Sequence, residues 1–185
     1  MSLLGGLGDL LRQVSESGAA PENAAQHFDQ VAQSVPSSTL ASGLAEAFRS
    51  EQTPGFPSMA AQLFSNGNGQ QRASMLTTLL SSIAPAVIGQ FSGNHPNSPL
   101  TAMLQSAQTS VSPDQAGQVD PAEVQALAQH AQQHDPSIID RVSEVYAEHP
   151  ALIKTLGAAA LGIAVKKIAE THSAQLLILR SRNHR

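Results

Sequence analysis

"DPAEVQALAQHAQQHDPSIIDRVSEVYAEHP", Asp120 to Pro150, decides the fold class. It holds two consecutive fifteen-residue units, 120–134 and 135–149, each opening Asp-Pro and closing with His. Asp at an N-cap accepts from the free N–H groups of a first helical turn, and Pro at the next position forfeits no hydrogen bond there. Glu123 completes a capping box with Asp120 in the first unit. Apolar residues then recur at helical spacing: Val124, Leu127 and Ala128 in the first unit, Ile138, Ile139, Val142 and Val145 in the second. A third helix start follows at Pro150. Helices joined by almost no loop must fold back at sharp angles, and nothing here alternates as a strand would.

Downstream lies "HPALIKTLGAAALGIAVKKIAE", His149 to Glu170, apolar on nearly every side of a helical wheel. Ala151, Ala158, Gly162 and Ala169 align in one stripe of small side chains, and Gly157, Ala160 and Ala164 form a second. Leu152, Leu156 and Ile163 take one flank; Leu161, Val165 and Ile168 take another. A helix that is apolar all round is a buried one, and small stripes let neighbouring backbones come close. The pattern therefore predicts one central helix over 150–170 with neighbours on several sides. A membrane span needs about 20 apolar residues. The uninterrupted run here, Thr155 to Val165, ends at Lys166 and Lys167, so no transmembrane segment is expected. Lys154, Lys166 and Lys167 point in three directions, which also argues against an interfacial anchor. Next come Leu176, Leu177, Ile178 and Leu179, four consecutive large apolar residues in an arm that must dock on its own body or on another subunit.

Upstream the helical period continues. Leu3, Leu4, Leu7, Leu10, Leu11 and Val14 make one stripe; Phe28, Val31 and Val35 follow Pro21; Leu40, Leu44 and Phe48 follow "PSST". A short fourth helix carries Met59, Leu63 and Phe64 and is stopped by "SNGNG" (65–69), where a left-handed C-cap is expected. A fifth, from about Gln70 to Gln90, carries Leu76, Leu79, Leu80, Ile83 and Val87, with a kink expected at Pro85. "SGNHPNSP" (92–99) reads as a linker and "QTSVSPDQAGQ" as a second loose stretch. The expected organisation is an N-terminal helical half over 1–91, a linker with a short helix over 92–119, and a C-terminal helical half over 120–185. The fold class expected is all-α, a multi-helix bundle of short helices in two halves joined by a Pro/Asn/Ser/Gly loop.

The 185 residues are enough for a real core, yet aromatic residues make up only 3%. All five Phe lie in the first half, so the second half must pack with Ala, Leu, Ile and Val. Cysteine is absent, which excludes disulfides and thiolate metal sites and leans toward the cytoplasm. The opening "MSLLGGLGDLLRQ" lacks a basic n-region and a cleavage site, so no signal peptide is expected. Charge is uneven along the chain: residues 1–150 hold thirteen Asp/Glu against four Lys/Arg, a balance of −9. Residues 151–185 hold six Lys/Arg against Glu170 alone, a balance of +5. Such a chain can meet another copy head to tail; the alternative is that Lys166 and Lys167 answer a helix C-terminal dipole and the rest is a solvated tail. Between Glu51 and Asp114 the only charged residue is Arg72.

The run "MSLLGGLGDLL" resembles the start of YidB-like bacterial proteins, a family of small helical proteins, and "HPALIKTLG" resembles the C-terminal part of other uncharacterised bacterial proteins. The resemblance implies a bacterial, helical, non-enzymatic protein and transfers no functional residue.

Chemistry-bearing patterns are few. His130 and His134 share a helix face as two zinc ligands would, but "HAQQH" lacks the Glu of a zincin, and only Asp135 or His149 offers a third ligand. Gly67 and Gly69 precede a helix without the strand or the Gly-Lys-Ser/Thr ending of a phosphate loop. No Ser sits in a nucleophile elbow. Arg180, Arg182 and Arg185 end an acidic protein without aromatics for stacking, so no nucleic-acid partner is expected. No cofactor, metal or catalytic residue is expected. The leading expectation is a structural or interaction protein that self-associates into a homo-oligomer or extended assembly. The residues expected to carry it are Ala151, Gly157, Ala158, Gly162, Ala169, Leu176, Leu177, Ile178 and Leu179. The alternative is a monomeric helical module that binds a small apolar ligand or a partner helix.

Overall fold

The structure, a computed structural model, describes the backbone of residues 24–83 and 85–182; the side chains of 86, 172, 173 and 175–182 fall outside that description. The N-terminal stripe Leu3 to Val14 and the run resembling YidB-like proteins lie outside the described residues. The chain is all-α: 78% helical, with eleven helices and no strand among the described residues.

Local chemistry accounts for most helix starts. Helix α1 (Ala24–Ser34) buries Ala24, Phe28 and Val31, and α2 (Ser37–Arg49) follows the extended Pro36. The Thr53 hydroxyl, buried after α2, donates to the Ala47 carbonyl (2.6 Å), satisfying an acceptor that the helix end leaves open. Helix α3 (Phe56–Asn66) has Pro57 in its first turn, and Phe56 meets Phe48 edge to face at 5.4 Å. Helix α4 (Gly69–Ser81) opens with a capping box between Asn68 and Gln71. Gly67 ends α3 at φ −73°, in extended rather than the expected left-handed backbone, because the next helix starts only two residues on. Arg72 closes the α3 end instead: its guanidinium donates to the carbonyls of Phe64 (2.9 Å) and Ser65 (2.8 Å) and lies 5.4 Å from the centre of the Phe64 ring.

The expected fifth helix with a kink at Pro85 is two helices. Helix α4 stops at Ser81 and α5 (Pro85–Asn94) starts at the proline. Pro85 cannot donate to the preceding turn and disfavours helical backbone in the residue before it, so it begins a helix better than it bends one. Helices α6 (Pro99–Gln105) and α7 (Pro113–Ala116) also begin at prolines and are capped by Ser98 and Ser112. The span 92–119 places Leu100, Met103, Leu104, Val111, Ala116 and Val119 in the core.

Helix α8 (Pro121–His134) starts with the Asp120/Glu123 capping box the sequence predicts. The second Asp-Pro does not start its helix directly. Asp135 accepts from the Ser137 backbone N–H (3.1 Å) and hydroxyl (2.6 Å), making a turn, and α9 (Ile138–Ala147) begins after Ser137. The Ser137 hydroxyl, with lesser help from its backbone N–H and from Arg141, holds the Asp135 carboxyl below the usual Asp range against the opposing effect of burial. A one-turn α10 (Pro150–Ile153) continues into a 3-10 turn (Lys154–Leu156), and α11 (Ala158–Arg182) is the longest helix.

Packing interleaves the two halves in one core. Helix α2 lies between α9 and α11, α1 also supports α11, α3 packs on α8, and α4 packs on α7 and α9. Phe28, Phe48, Phe56, Phe64 and Phe91 are all buried, and Ala, Val, Leu and Ile fill the C-terminal contribution. Tyr146 of α9 is the largest fully buried side chain; its hydroxyl meets only the Met75 sulfur, at 3.5 Å, a weak acceptor. That burial raises the Tyr146 pKa well above the ordinary phenol range, the positive charge of Arg72 opposing it slightly.

Candidate functional site

The expected single helix over 150–170 is broken in two. Leu152, Ile153 and Leu156 are buried on one side of the break, and Ala160, Leu161, Ala164, Val165 and Ile168 on the other. Between the two sets Gly157 takes up the bend at φ +92° and ψ 167°, a conformation essentially restricted to glycine. The segment before the bend is tied down: Gln62 of α3 donates to the Thr155 carbonyl (2.6 Å), and Lys154 pairs with Asp29 of α1 at 2.9 Å. After the bend, the Leu161 amide donates to the Gly157 carbonyl and α11 begins.

Helix α11 then crosses α2 at Gly43. A Cβ there would lie 2.7 Å from the Ala164 carbonyl oxygen and 2.6 Å from the Ile168 Cγ1. This is the close helix contact that the small-residue pattern anticipated, but the glycine that permits it is on α2. Among the described residues no atom outside its own turn lies within 4 Å of the position a Gly162 Cβ would take. The neighbours of α11 among the described helices are chiefly α2 and α1. One face of α11 is buried on α1 and α2, while Ala159 is exposed and Ala158, Gly162, Ile163 and Ala169 are half-buried. The wheel that aligned Ala151 with Ala158 and Gly162 does not hold across the bend, and Ala151 is an exposed residue of α10. The side chains of Leu176, Leu177, Ile178 and Leu179 lie outside the described residues, though their backbone continues α11.

Some of the basic C-terminal charge is used within the chain. Lys154 pairs with Asp29, and Lys167 approaches Glu46 of α2 at 3.8 Å. Beside that pair an open groove of about 340 Å³ is lined by Glu46, Ser50, Gln52, Ile163, Lys166, Lys167 and Glu170. A second groove, about 510 Å³, runs between α2 and α9 past Ser37, Ser38, Ala41, Ser42, Asp140, Glu144 and Glu148. Asp140 there is held by Arg49 at 2.8 Å, whereas Glu144 and Glu148 have no ion-pair partner among the described residues.

His130 is half-buried and His134 exposed on α8, and no group of three or more His, Asp or Glu suited to a metal ion occurs among the described residues. The half-buried His95 stacks on Phe91 at 4.8 Å beside a groove that includes Asp120 and Glu123, but both carboxylates cap α8. No described helix is long and apolar enough to cross a membrane. Gly43 escaped the sequence reading because its neighbours, Ala164 and Ile168, lie far along the chain. Its signal, a lone glycine inside an otherwise good helix, is shared by Gly162 and means something different in each. No family model, curated protein or solved structure matches this chain.

Proposed function

We propose that this protein is a structural or interaction protein that assembles with copies of itself through its C-terminal helix. One observation carries the reading: among the described residues α11, 25 residues long, is seated on α1 and α2, and its outer side shows the small Ala159 and Gly162 beside Lys166 and Glu170, with Ala158 and Ile163 only partly packed on the core. The terminal run Leu176 to Leu179 and the −9/+5 charge division add to it. The alternative, a monomeric module for an apolar ligand, has less support, because the grooves are lined chiefly by serines, carboxylates and lysines.

Native mass measured over a range of protein concentrations tests the proposal. Mass should rise with concentration, and a chain ending at Glu170 should stay folded at a lower order of assembly. Burial of each large aliphatic side chain contributes roughly 1.5–3 kcal/mol, so four such residues supply about 6–12 kcal/mol toward an association cost of about 4–15 kcal/mol. A full-length protein that remains monomeric at high concentration, and unfolds when the arm is removed, would place the arm in its own core and end the proposal.

A further inference from the structure

We propose that assembly occurs by exchange of α11: the helix pivots at Gly157 and seats on α2 of a second copy. The inference rests on the self-assembly reading above and specifies its geometry. Apolar periodicity runs unbroken from Pro150 through Glu170, so the local sequence suits one continuous helix. In the structure a 3-10 turn and Gly157 at φ +92° interrupt it. If Gly157 adopts ordinary helical backbone, residues 150–182 become a single rod about 50 Å long. Leu152, Ile153 and Leu156 keep that rod anchored in its own body. The part beyond the pivot then leaves α2.

Every contact α11 makes in cis can be remade in trans. The Gly43 crossing with Ala164 and Ile168, and the Lys167 to Glu46 approach, are the same whichever copy supplies the helix. The balance is therefore set by the hinge and by the new contact between the two rods. Gly157 adopts bent or helical backbone without strain, and exchange of an identical element between copies is a low-cost route to a dimer. Near the pivot Ala159 is exposed, and among the described residues nothing outside its own turn lies within 4 Å of a Gly162 Cβ position. Two rods passing one another meet there on small side chains and can approach closely.

The chain has no cysteine, so introduced thiols are unique. Glu46→Cys and Lys167→Cys, made as separate variants, are mixed under conditions that allow subunit exchange and treated with a short bifunctional maleimide. A link between position 46 of one chain and position 167 of another should form in the assembled fraction and not in the monomer. Gly157→Ala, which disfavours the bent hinge, should raise the assembled fraction about ten-fold or more. Inserting three glycines after Gly157 relieves the hinge and should lower that fraction below that of the natural chain. If Gly157→Ala fails to fold, the cross-link and the insertion still decide. Assemblies that form without the 46-to-167 link, or that ignore the insertion, overturn the exchange while leaving self-assembly standing. A chain that never associates refutes both.

Discussion

Replacing Gly43 by Ala tests the crossing of α2 and α11 with a single methyl group. The added Cβ would lie 2.6 Å from the Ile168 Cγ1, 2.9 Å from its Cδ1 and 2.7 Å from the Ala164 carbonyl oxygen. Ile168 is 1% exposed and has little room to rotate, and the carbonyl belongs to the helix backbone. Relief therefore requires α11 as a whole to retreat by about 0.7 Å toward ordinary contact distance. Overpacking of this kind costs about 1–3 kcal/mol, and Ala in place of Gly inside a helix returns about 1 kcal/mol. The expected net loss is about 1 kcal/mol, or about 2–4 °C in Tm for a chain of this size. Gly89 in α5 supplies the control, being exposed with nothing within 4 Å of its Cβ position. Gly89→Ala should therefore raise Tm by a similar amount. Thermal unfolding followed by circular dichroism at one fixed protein concentration compares the three chains. A Gly43→Ala protein that melts as high as Gly89→Ala would show that the crossing is loose and the reasoning wrong.

Three further outcomes follow from the same geometry. Gly162→Leu should leave the melting of the dilute chain within about 1 kcal/mol of the natural protein yet reduce assembly by overpacking the face near the pivot; unchanged native mass would remove that face from the interface. Arg72→Met keeps the aliphatic stem but leaves the Phe64 and Ser65 carbonyls without the guanidinium, and should cost about 1–3 kcal/mol in urea unfolding; an unmoved midpoint would show that water replaces those bonds freely. Tyr146 is the chain's single tyrosine and tryptophan is absent, so phenolate absorbance reports this residue alone. Its raised pKa means the folded chain holds a proton the unfolded chain releases, so stability should fall as pH rises past about 10, and phenolate should appear together with unfolding. Titration in the fully folded protein near that pH would contradict its burial.

Helix starts were the legible part of the fold because their causes are local. Asp120 with Glu123 acts within four residues of its own position; Pro57, Pro99 and Pro113 act as locally, yet the stretches that hold them read as turn, linker and loose segment rather than as helix starts. The all-α class and the buried Phe28, Phe48 and Phe64 followed from periodicity, which likewise needs no distant partner. What stayed hidden depended on contacts across the chain. Gly43 looks like a weak point in "SSTLASGLAEAFR" until Ala164 and Ile168 are laid against it. Arg72 looks like an isolated charge because its acceptors are main-chain carbonyls, which no side-chain pattern encodes. Gly157 is a poor helix former and an ordinary helix-ending residue, but the apolar residues on both sides of it hide that signal in the sequence. The demand to bury Leu152 and Leu156 before it and Leu161 and Val165 after it is met through the bend.

That demand has a consequence for the oligomeric state. In an exchange, the cis contacts of α11 are lost and regained unchanged, so their energy cancels however large it is. The remaining quantities are small: hinge conformation, the entropy of joining two chains, and any new contact between the rods. Left-handed backbone costs a non-glycine residue about 1–3 kcal/mol, comparable with the balance of those quantities at ordinary protein concentrations. A glycine at 157 makes the bent form affordable and so holds the equilibrium where concentration can move it. The length of α11 acts in the same direction. Its 25 residues run about 37 Å against about 20 Å for the 13-residue α2, so the longer helix extends well past this partner in either arrangement. The excess carries Leu176 to Leu179 with Arg180 and Arg182, and no acidic residue. In trans, that segment travels with α11 to a second body, and the trans form gains whatever it then covers.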